Sequence, residues 1–295
     1  MITILTPTYN REKYLKRLYQ SLLNQTSHNF EWIVVDDGST DRTEILINHL
    51  QKLNNPFSIL YYKKKNEGKH IAINYGVSVA NGEYLFILDS DDWIVHDAII
   101  NIEKWLNNIS TNESKCIGVS GLRGKDNNGI YTIIGKYPKN KECVYATNLE
   151  RYKKKLTGDK AEVYKTDLMK LYPFPIFNNE KFMPENVVWD KMALDGYYLK
   201  WYPKIITITE YLPGGLTNTS IIEKFKNNYK GYSLSYYYSW IGLNFPYNYR
   251  SAVDYYIKLK IIGKNKNELV KNLKLNMLDK YIIIALSKIK KFYRS

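Results

Sequence analysis

Short apolar runs alternate with amphipathic stretches over the first 110 or so residues. Ile2-Thr3-Ile4-Leu5-Thr6 reads as a buried strand ended by Pro7, and Asn10 stands where it would cap a helix over 11–24 whose Tyr14, Leu15, Leu18 and Leu22 share one face. Residues 30–35 read as a second strand. The spacing of Ile45, Leu46, His49, Leu50 and Leu53 predicts a helix over 40–53 with His49 in the core. A strand over 59–62, a helix over 68–80, a strand over 84–88 and a helix over 98–107 continue the rhythm. Such alternation with short connections specifies a parallel sheet with right-handed crossovers. Beyond Ile109 the rhythm loosens. Strands are predicted over 115–122 and 130–135 around the turn-rich 124–129, helices over 162–172 and 187–195, and one or two strands over 197–209. From Ser220 the pattern is helical and basic, which places a core in 1–215 and a helical extension in 216–295.

Two acidic clusters close apolar runs: Val34-Val35-Asp36-Asp37-Gly38-Ser39 and Phe86-Ile87-Leu88-Asp89-Ser90-Asp91-Asp92. That puts carboxylates at the carboxyl ends of buried strands, the edge where open α/β sheets bind ligands. Three carboxylates within four residues repel unless a cation or donor groups compensate, and Mn2+ or Mg2+ with oxygen ligands fits. A solvated acidic turn is the plainer alternative. Between the clusters, Gly68 precedes a helix whose Ala72 and Gly76 are small and four apart, so that it can lie close to the sheet. Lys69 in its first turn opposes the helix dipole, which suggests that it answers another charge, such as a diphosphate; His70 beside it is placed to touch phosphate.

The chain has 43 Lys plus Arg against 29 Asp plus Glu, a net charge of +14. Between Lys258 and Ser295 stand eleven basic residues and two acids, Glu268 and Asp279, so most of the excess is in the tail. Hydrophobic residues make up 44% of the chain, enough for a sizeable core. Cys116 and Cys143 lack metal-ligand or redox spacing and read as packed thiols of a reduced cytoplasmic setting. The first residues run straight into a strand with no signal peptide, and no apolar stretch, the run from Tyr281 to Leu286 included, reaches the roughly 20 residues of a membrane span.

TPTYNR at Thr6 to Arg11, VVDDGSTD at Val34 to Asp41, NEGK at Asn66 to Lys69 with the following AINYG, and LDSDD at Leu88 to Asp92 together resemble a family 2 glycosyltransferase of the bacterial surface-polysaccharide type. The likeness is close over about the first 110 residues and looser to about 210. It implies the Rossmann-like A-type fold of nucleotide-diphospho-sugar transferases, a mostly parallel central sheet flanked by helices. It implies that Thr6, Pro7, Tyr9 and Asp36 surround the base, that Asp89 approaches the ribose, and that Asp91 binds the divalent metal of the Asp-x-Asp motif. Arg11, Asp37, Asn66, Gly68, Lys69, Asn74 and Ser90 complete the expected nucleotide-sugar site. Asp92, with Asp159 and Lys160 of Thr157-Gly158-Asp159-Lys160, is expected on the acceptor side, although a capped turn would look the same.

In this family an acidic pair stands at a helix start, and the second acid commonly deprotonates the acceptor. This chain has Pro184-Glu185-Asn186, followed by Asp190. An amide cannot take that proton, so the expected base is Glu185, at a first helical turn where its charge is favoured, with Asp190 in reserve. The implied reaction is an inverting displacement from a UDP-linked donor to a glycan or polyprenyl-diphosphate-linked hydroxyl. A helix over 266–291, with Leu269, Leu273, Met277, Ile284 and Leu286 among lysines, is placed either to lie on an anionic membrane, as a peripheral protein of the inner face, or to pack on the core. Two rivals fit less well. A sugar-phosphate nucleotidyltransferase would want a Gly-rich basic loop where Pro7-Thr8-Tyr9-Asn10 stands. A nucleic-acid-binding protein would interleave basic and aromatic residues in the core rather than gather charge in the tail.

Overall fold

Seven consecutive buried residues, Ile2–Thr8, form β1. It pairs in parallel with β2 (Phe30–Asp36), likewise buried throughout, and with β4 (Tyr84–Ile87); β2 pairs in parallel with β3 (Ser58–Lys63). Strands buried on both faces need crossovers above and below. These are α1 (Glu12–Leu23), α2 (Thr43–Gln51) and α3 (Lys69–Val79). As the small residues predict, α3 lies against β1 and β2: a methyl group at Gly76 would collide with Leu5.

The computed structural model describes residues 1–210 and 220–292. The chain forms two units, Met1–Phe174 with the segment from Gly196, and Pro175–Asp195 with the helices after Ser220. The boundary expected near residue 215 lies outside the described residues.

The first unit continues with β5 (Trp93–Ile94), α4 (Ala98–Asn107), β6 (Cys116–Asn127), β7 (Ile130–Ile133), β8 (Val144–Ala146), β9 (Lys160–Lys165), α5 (Thr166–Leu171) and β10 (Tyr198–Ile208). Its sheet runs β3-β2-β1-β4-β9-β6-β10-β5, with β7 added to β6 and β8 to β10. β9 is antiparallel to both β4 and β6, while β10 and β6 are parallel. Residues 162–172, expected as one helix, thus divide into β9 and α5, because ladders on both flanks outweigh the local pattern. The turn expected over 124–129 tightens to Asn128 and Gly129, since β6 runs on to Asn127 as a hairpin with β7. His49 is exposed: the buried face of α2 is Thr43, Leu46, Ile47 and Leu50, which turns Ile45 and His49 to solvent.

Lys160 is only 2% exposed, so it does not reach an acceptor as expected. Its ammonium donates to the carbonyls of Thr157, Ile134 (3.3 Å), Asp159 (3.4 Å) and Gly158 (3.5 Å), tying the 157–159 loop to β7's end. Burial pushes its pKa down to about 8 from 10.5. Between those values the unfolded chain binds more protons than the folded one, so Lys160 makes stability rise with pH there. From pH 7.5 to 9.5 the wild type should gain about 2 kcal/mol over Lys160→Met. Parallel urea titrations of the two proteins would show it, and equal slopes would contradict it.

The second unit is helical: α6 (Asn186–Leu194), α7 (Ile221–Asn227), α8 (Tyr229–Gly242), α9 (Tyr247–Ile261), α10 (Lys266–Leu273) and α11 (Met277–Phe292). Phe225, Tyr255, Leu259, Leu269, Leu273 and Ile283 form its core. The continuous helix expected over 266–291 is two helices. Lys274 adopts a left-handed conformation (φ 52°) after α10, and the Asn276 side chain accepts from Asp279 N (2.8 Å) to start α11.

Candidate functional site

Loops at the carboxyl ends of β1, β2 and β4 are tied together by their own side chains. Asn10 does not cap α1. At φ 52°, it accepts at Oδ1 from Thr40 N (2.8 Å) and Asp41 N (3.3 Å), while its own N–H donates to Ser39 Oγ (2.8 Å), joining the β1 and β2 loops. Gly38, at φ 84°, lets the β2 turn pass the Asn66 backbone; a Cβ there would sit 2.9 Å from Asn66 N.

Both acids of the first cluster are engaged inside the fold. Asp36 is fully buried, accepting from Ser39 N (2.7 Å) and the Tyr61 hydroxyl (2.6 Å). Asp37 accepts from Lys64 Nζ (2.9 Å), Glu67 N (3.0 Å) and Gly68 N (2.8 Å), pinning the loop before α3. A carboxylate at a strand end is surrounded by turn N–H groups, and here they take it up. Thr6 is also fully buried, its hydroxyl accepting from Trp32 Nε1 (3.0 Å), and Pro7 is buried. Of the residues expected around the base, Tyr9 is the exposed one, at 46%, and Thr6, Pro7 and Asp36 are buried. Asn74, expected at the nucleotide sugar, instead clamps the Phe174 backbone with two hydrogen bonds of 2.8 Å. His70, expected near phosphate, is only 2% exposed with neither ring nitrogen hydrogen-bonded, and burial lowers its pKa.

The second cluster is built differently. Lys69 reaches from the first turn of α3 to Asp89 Oδ1 (2.6 Å). Arg123, on β6, pairs with buried Asp92, lies 4.0 Å from Asp89 Oδ2, and donates to Lys160 O (2.9 Å). Burial drives the Asp89 carboxyl up, but Lys69 and Arg123 overcome this and hold it below its ordinary value. Asp92, expected toward the acceptor, is 2% exposed and belongs to this internal pairing instead; burial, together with Asp89 and Asp91, raises it against the pull of Arg123. Ser90 is buried between them in the chain.

Asp91 is the carboxylate of the three that, among the described residues, forms no ion pair. Burial and the charge of Asp89 raise its pKa, opposed by its own backbone N–H and by Arg11 and Lys69. Arg17 of α1 braces this loop: its guanidinium stacks on Trp93 at 3.9 Å and donates to Asp91 O (2.8 Å) and Glu210 (2.6 Å). The fold therefore gathers Arg11, Lys69, Asp89, Asp91, Asp92 and Arg123. Arg123 and Arg17 escaped the sequence reading; the one signal was an arginine inside the apolar run of β6.

A partly buried carboxylate of raised pKa, without a direct ion pair among the described residues and next to an anion, is a fit for a divalent cation. Among the described residues no group of three or more His, Cys, Asp or Glu side chains is placed to hold a metal ion. A cation at Asp91 would thus draw most of its oxygen shell from a diphosphate and water, as Mg2+-type ions do.

In the second unit, Glu185 precedes α6 with helical backbone angles (φ −63°, ψ −29°) and is half-buried. Asn186 donates to Asp190 Oδ2 (2.8 Å) and exchanges hydrogen bonds with Ser235 Oγ of α8 (2.9 and 3.0 Å). Asp190 is 4% exposed, held in this contact, and does not present its carboxylate to solvent as a reserve base would.

Comparison with known proteins agrees with this architecture. The profile of glycosyl transferase family 2 matches residues 3–179, and the chain belongs to that family. It is 37% identical over 103 residues to the glycosyltransferase GlyA of Streptococcus pneumoniae, covering 35% of this chain and 14% of that one. Over 150 residues it is 31% identical to a dolichyl N-acetyl-alpha-D-glucosaminyl phosphate 3-beta-D-2,3-diacetamido-2,3-dideoxy-beta-D-glucuronosyltransferase of Methanococcus voltae, covering 50% of this chain and 45% of that one. The matched segment is thus less than half of either relative. Among solved structures, S. aureus TarS 1–349 in complex with UDP-GlcNAc superposes with a TM-score of 0.61 at 19% identity, over 95% of this chain and 77% of that one. The mannosyltransferase PcManGT of Pyrobaculum calidifontis, in complex with GDP-Man and Mn2+, superposes at 0.58 and 16% identity, over 99% and 80%. These likenesses establish the A-type glycosyltransferase fold and membership of glycosyl transferase family 2.

Proposed function

We propose that this protein transfers a sugar from a nucleoside-diphosphate donor, UDP-linked, to a hydroxyl of a glycan or polyprenyl-diphosphate-linked acceptor, inverting the anomeric centre, in surface-polysaccharide synthesis. The observation that carries the reading is Asp91, a carboxylate without an ion pair beside the Lys69–Asp89 pair at the ligand-binding edge of the sheet. The UDP-GlcNAc bound by TarS, the GDP-Man and Mn2+ bound by PcManGT and the dolichyl phosphate in the Methanococcus relative's name support the donor, metal and acceptor classes.

Tyr9 offers a ring for the base, and Asp89 accepts from ribose hydroxyls. Lys69, released from Asp89 by that exchange, turns to phosphate oxygen. Asp91 would hold Mn2+ or Mg2+, which would neutralise the departing diphosphate. Glu185 takes the acceptor's proton as the sugar carbon is attacked. The α/β core carries donor binding, and a lipid-linked acceptor would place the reaction at the inner face of the cell membrane.

Thermal unfolding of the purified chain with UDP, GDP, dTDP and CDP, each with and without Mn2+, tests the reading. UDP with Mn2+ should raise the midpoint by several degrees, with the other nucleotides or metal-free UDP giving little. No shift with any nucleotide would overturn it.

A further inference from the structure

Helix α11 packs on α9, with Ile283 and Ser287 turned inward and buried. Its opposite side is not the polar one such a helix normally shows to water. Leu278 (69% exposed), Tyr281 (60%), Leu286 (38%) and Ile289 (54%), with Ala285 and the half-exposed Ile282, line up along it. At 3.6 residues per turn these six fall within an arc of roughly 140°. One exposed apolar residue is ordinary, but a continuous face marks a contact surface.

The charge of this segment indicates what covers the face. The segment from Lys258 onward holds eleven basic residues and two acids, and both acids are engaged within the unit: Glu268 accepts from the Tyr229 hydroxyl (2.8 Å) and Asp279 from the Tyr249 hydroxyl. Lys266, Lys271, Lys274 and Lys288 are exposed. At 3.6 residues per turn Lys288 borders this strip on α11, and an apolar strip in so basic a segment is complementary to a surface with anionic headgroups over acyl chains. A second copy of the chain is disfavoured, since a two-fold contact through α11 would press two lysine-rich segments together. No described helix is long and apolar enough to cross a membrane, which leaves α11 the geometry of lying in its plane.

We propose that α11 is a bilayer-docking helix: Leu278, Tyr281, Ala285 and Ile289 enter the acyl boundary of an anionic membrane while the neighbouring lysines contact headgroup phosphates. The inference does not depend on the transferase reading, because vesicle binding is measured without donor or acceptor and nucleotide stabilisation without lipid.

The test is flotation of the full chain with vesicles of phosphatidylcholine alone or with about one-third phosphatidylglycerol. Binding should require the anionic lipid and weaken as salt rises. Leu278→Asp with Ile289→Asp should abolish it without lowering the melting midpoint, as both side chains are exposed. Lys271→Gln and Lys288→Gln should each weaken it about fivefold. Failure of the wild type to float with anionic vesicles would overturn the proposal. So would undiminished binding by the aspartate variant, or loss of a wild-type dimer in that variant, by light scattering, without any lipid binding.

Discussion

Glu185→Gln should lower kcat by about 10²–10⁴-fold while leaving the UDP- and Mn2+-dependent stabilisation and the donor KM near those of the wild type. Glutamine keeps the side chain's size and its hydrogen-bonding capacity but cannot accept the acceptor's proton. Glu185 already has helical backbone angles as it enters α6, so the substitution disturbs no turn. Its neighbour Asn186 is spent between Asp190 and Ser235, which makes the pair at this helix start one acid and one brace. Asp190→Ala supplies the contrast. Removing that buried carboxylate strips Asn186 of a partner and should appear as a lower urea midpoint, a cost of about 1–3 kcal/mol. Steady-state transfer with either variant separates the roles: Glu185→Gln retaining more than about a third of wild-type kcat would move the base elsewhere.

How far the sequence could be read depended on the range of the forces involved. The first four strands and their helices were legible because each buried run is continuous and each helix face is local. β9 was not, because its conformation is imposed by β4 and β6, whose residues lie about 40 and more positions away in the chain. The break between α10 and α11 was legible in principle, as Asn276 and Asp279 have a cap's spacing, but the apolar periodicity on either side concealed it. The acidic clusters were found, but which of their carboxylates the fold pairs internally was not. Asp36 and Asp37 differ from Asp91 through Tyr61, Lys64 and the N–H groups of Glu67 and Gly68, all brought up by folding. Asn74 looked like a ligand-binding amide until its partner, the Phe174 backbone 100 residues away, was in place. A residue's chemistry is written in the sequence, whereas its partner is written in the topology.

Asp91→Asn should abolish the metal-dependent response to UDP and reduce kcat by about 10³-fold, since leaving-group stabilisation of several kcal/mol rests on one hard anionic ligand. Unlike an ordinary loss of a charged group, it should not destabilise the free protein. Burial and Asp89 already raise the Asp91 pKa, which means that its charge costs the fold stability at neutral pH. A carboxyl whose folded pKa lies above its unfolded value gives up stability as pH rises through that interval, and the amide removes this loss. The Lys69–Asp89 and Arg123–Asp92 pairs remain, and Arg17 still holds the residue 91 carbonyl. The melting midpoint without ligand should therefore equal or exceed that of the wild type, while the shift with UDP and Mn2+ disappears. A variant that melted lower and kept a proportionate nucleotide shift would identify Asp91 as part of the fold's charge balance instead of its metal ligand. The opposite pairing, stability held and response lost, is what distinguishes a carboxylate kept for a ligand from one kept for the structure.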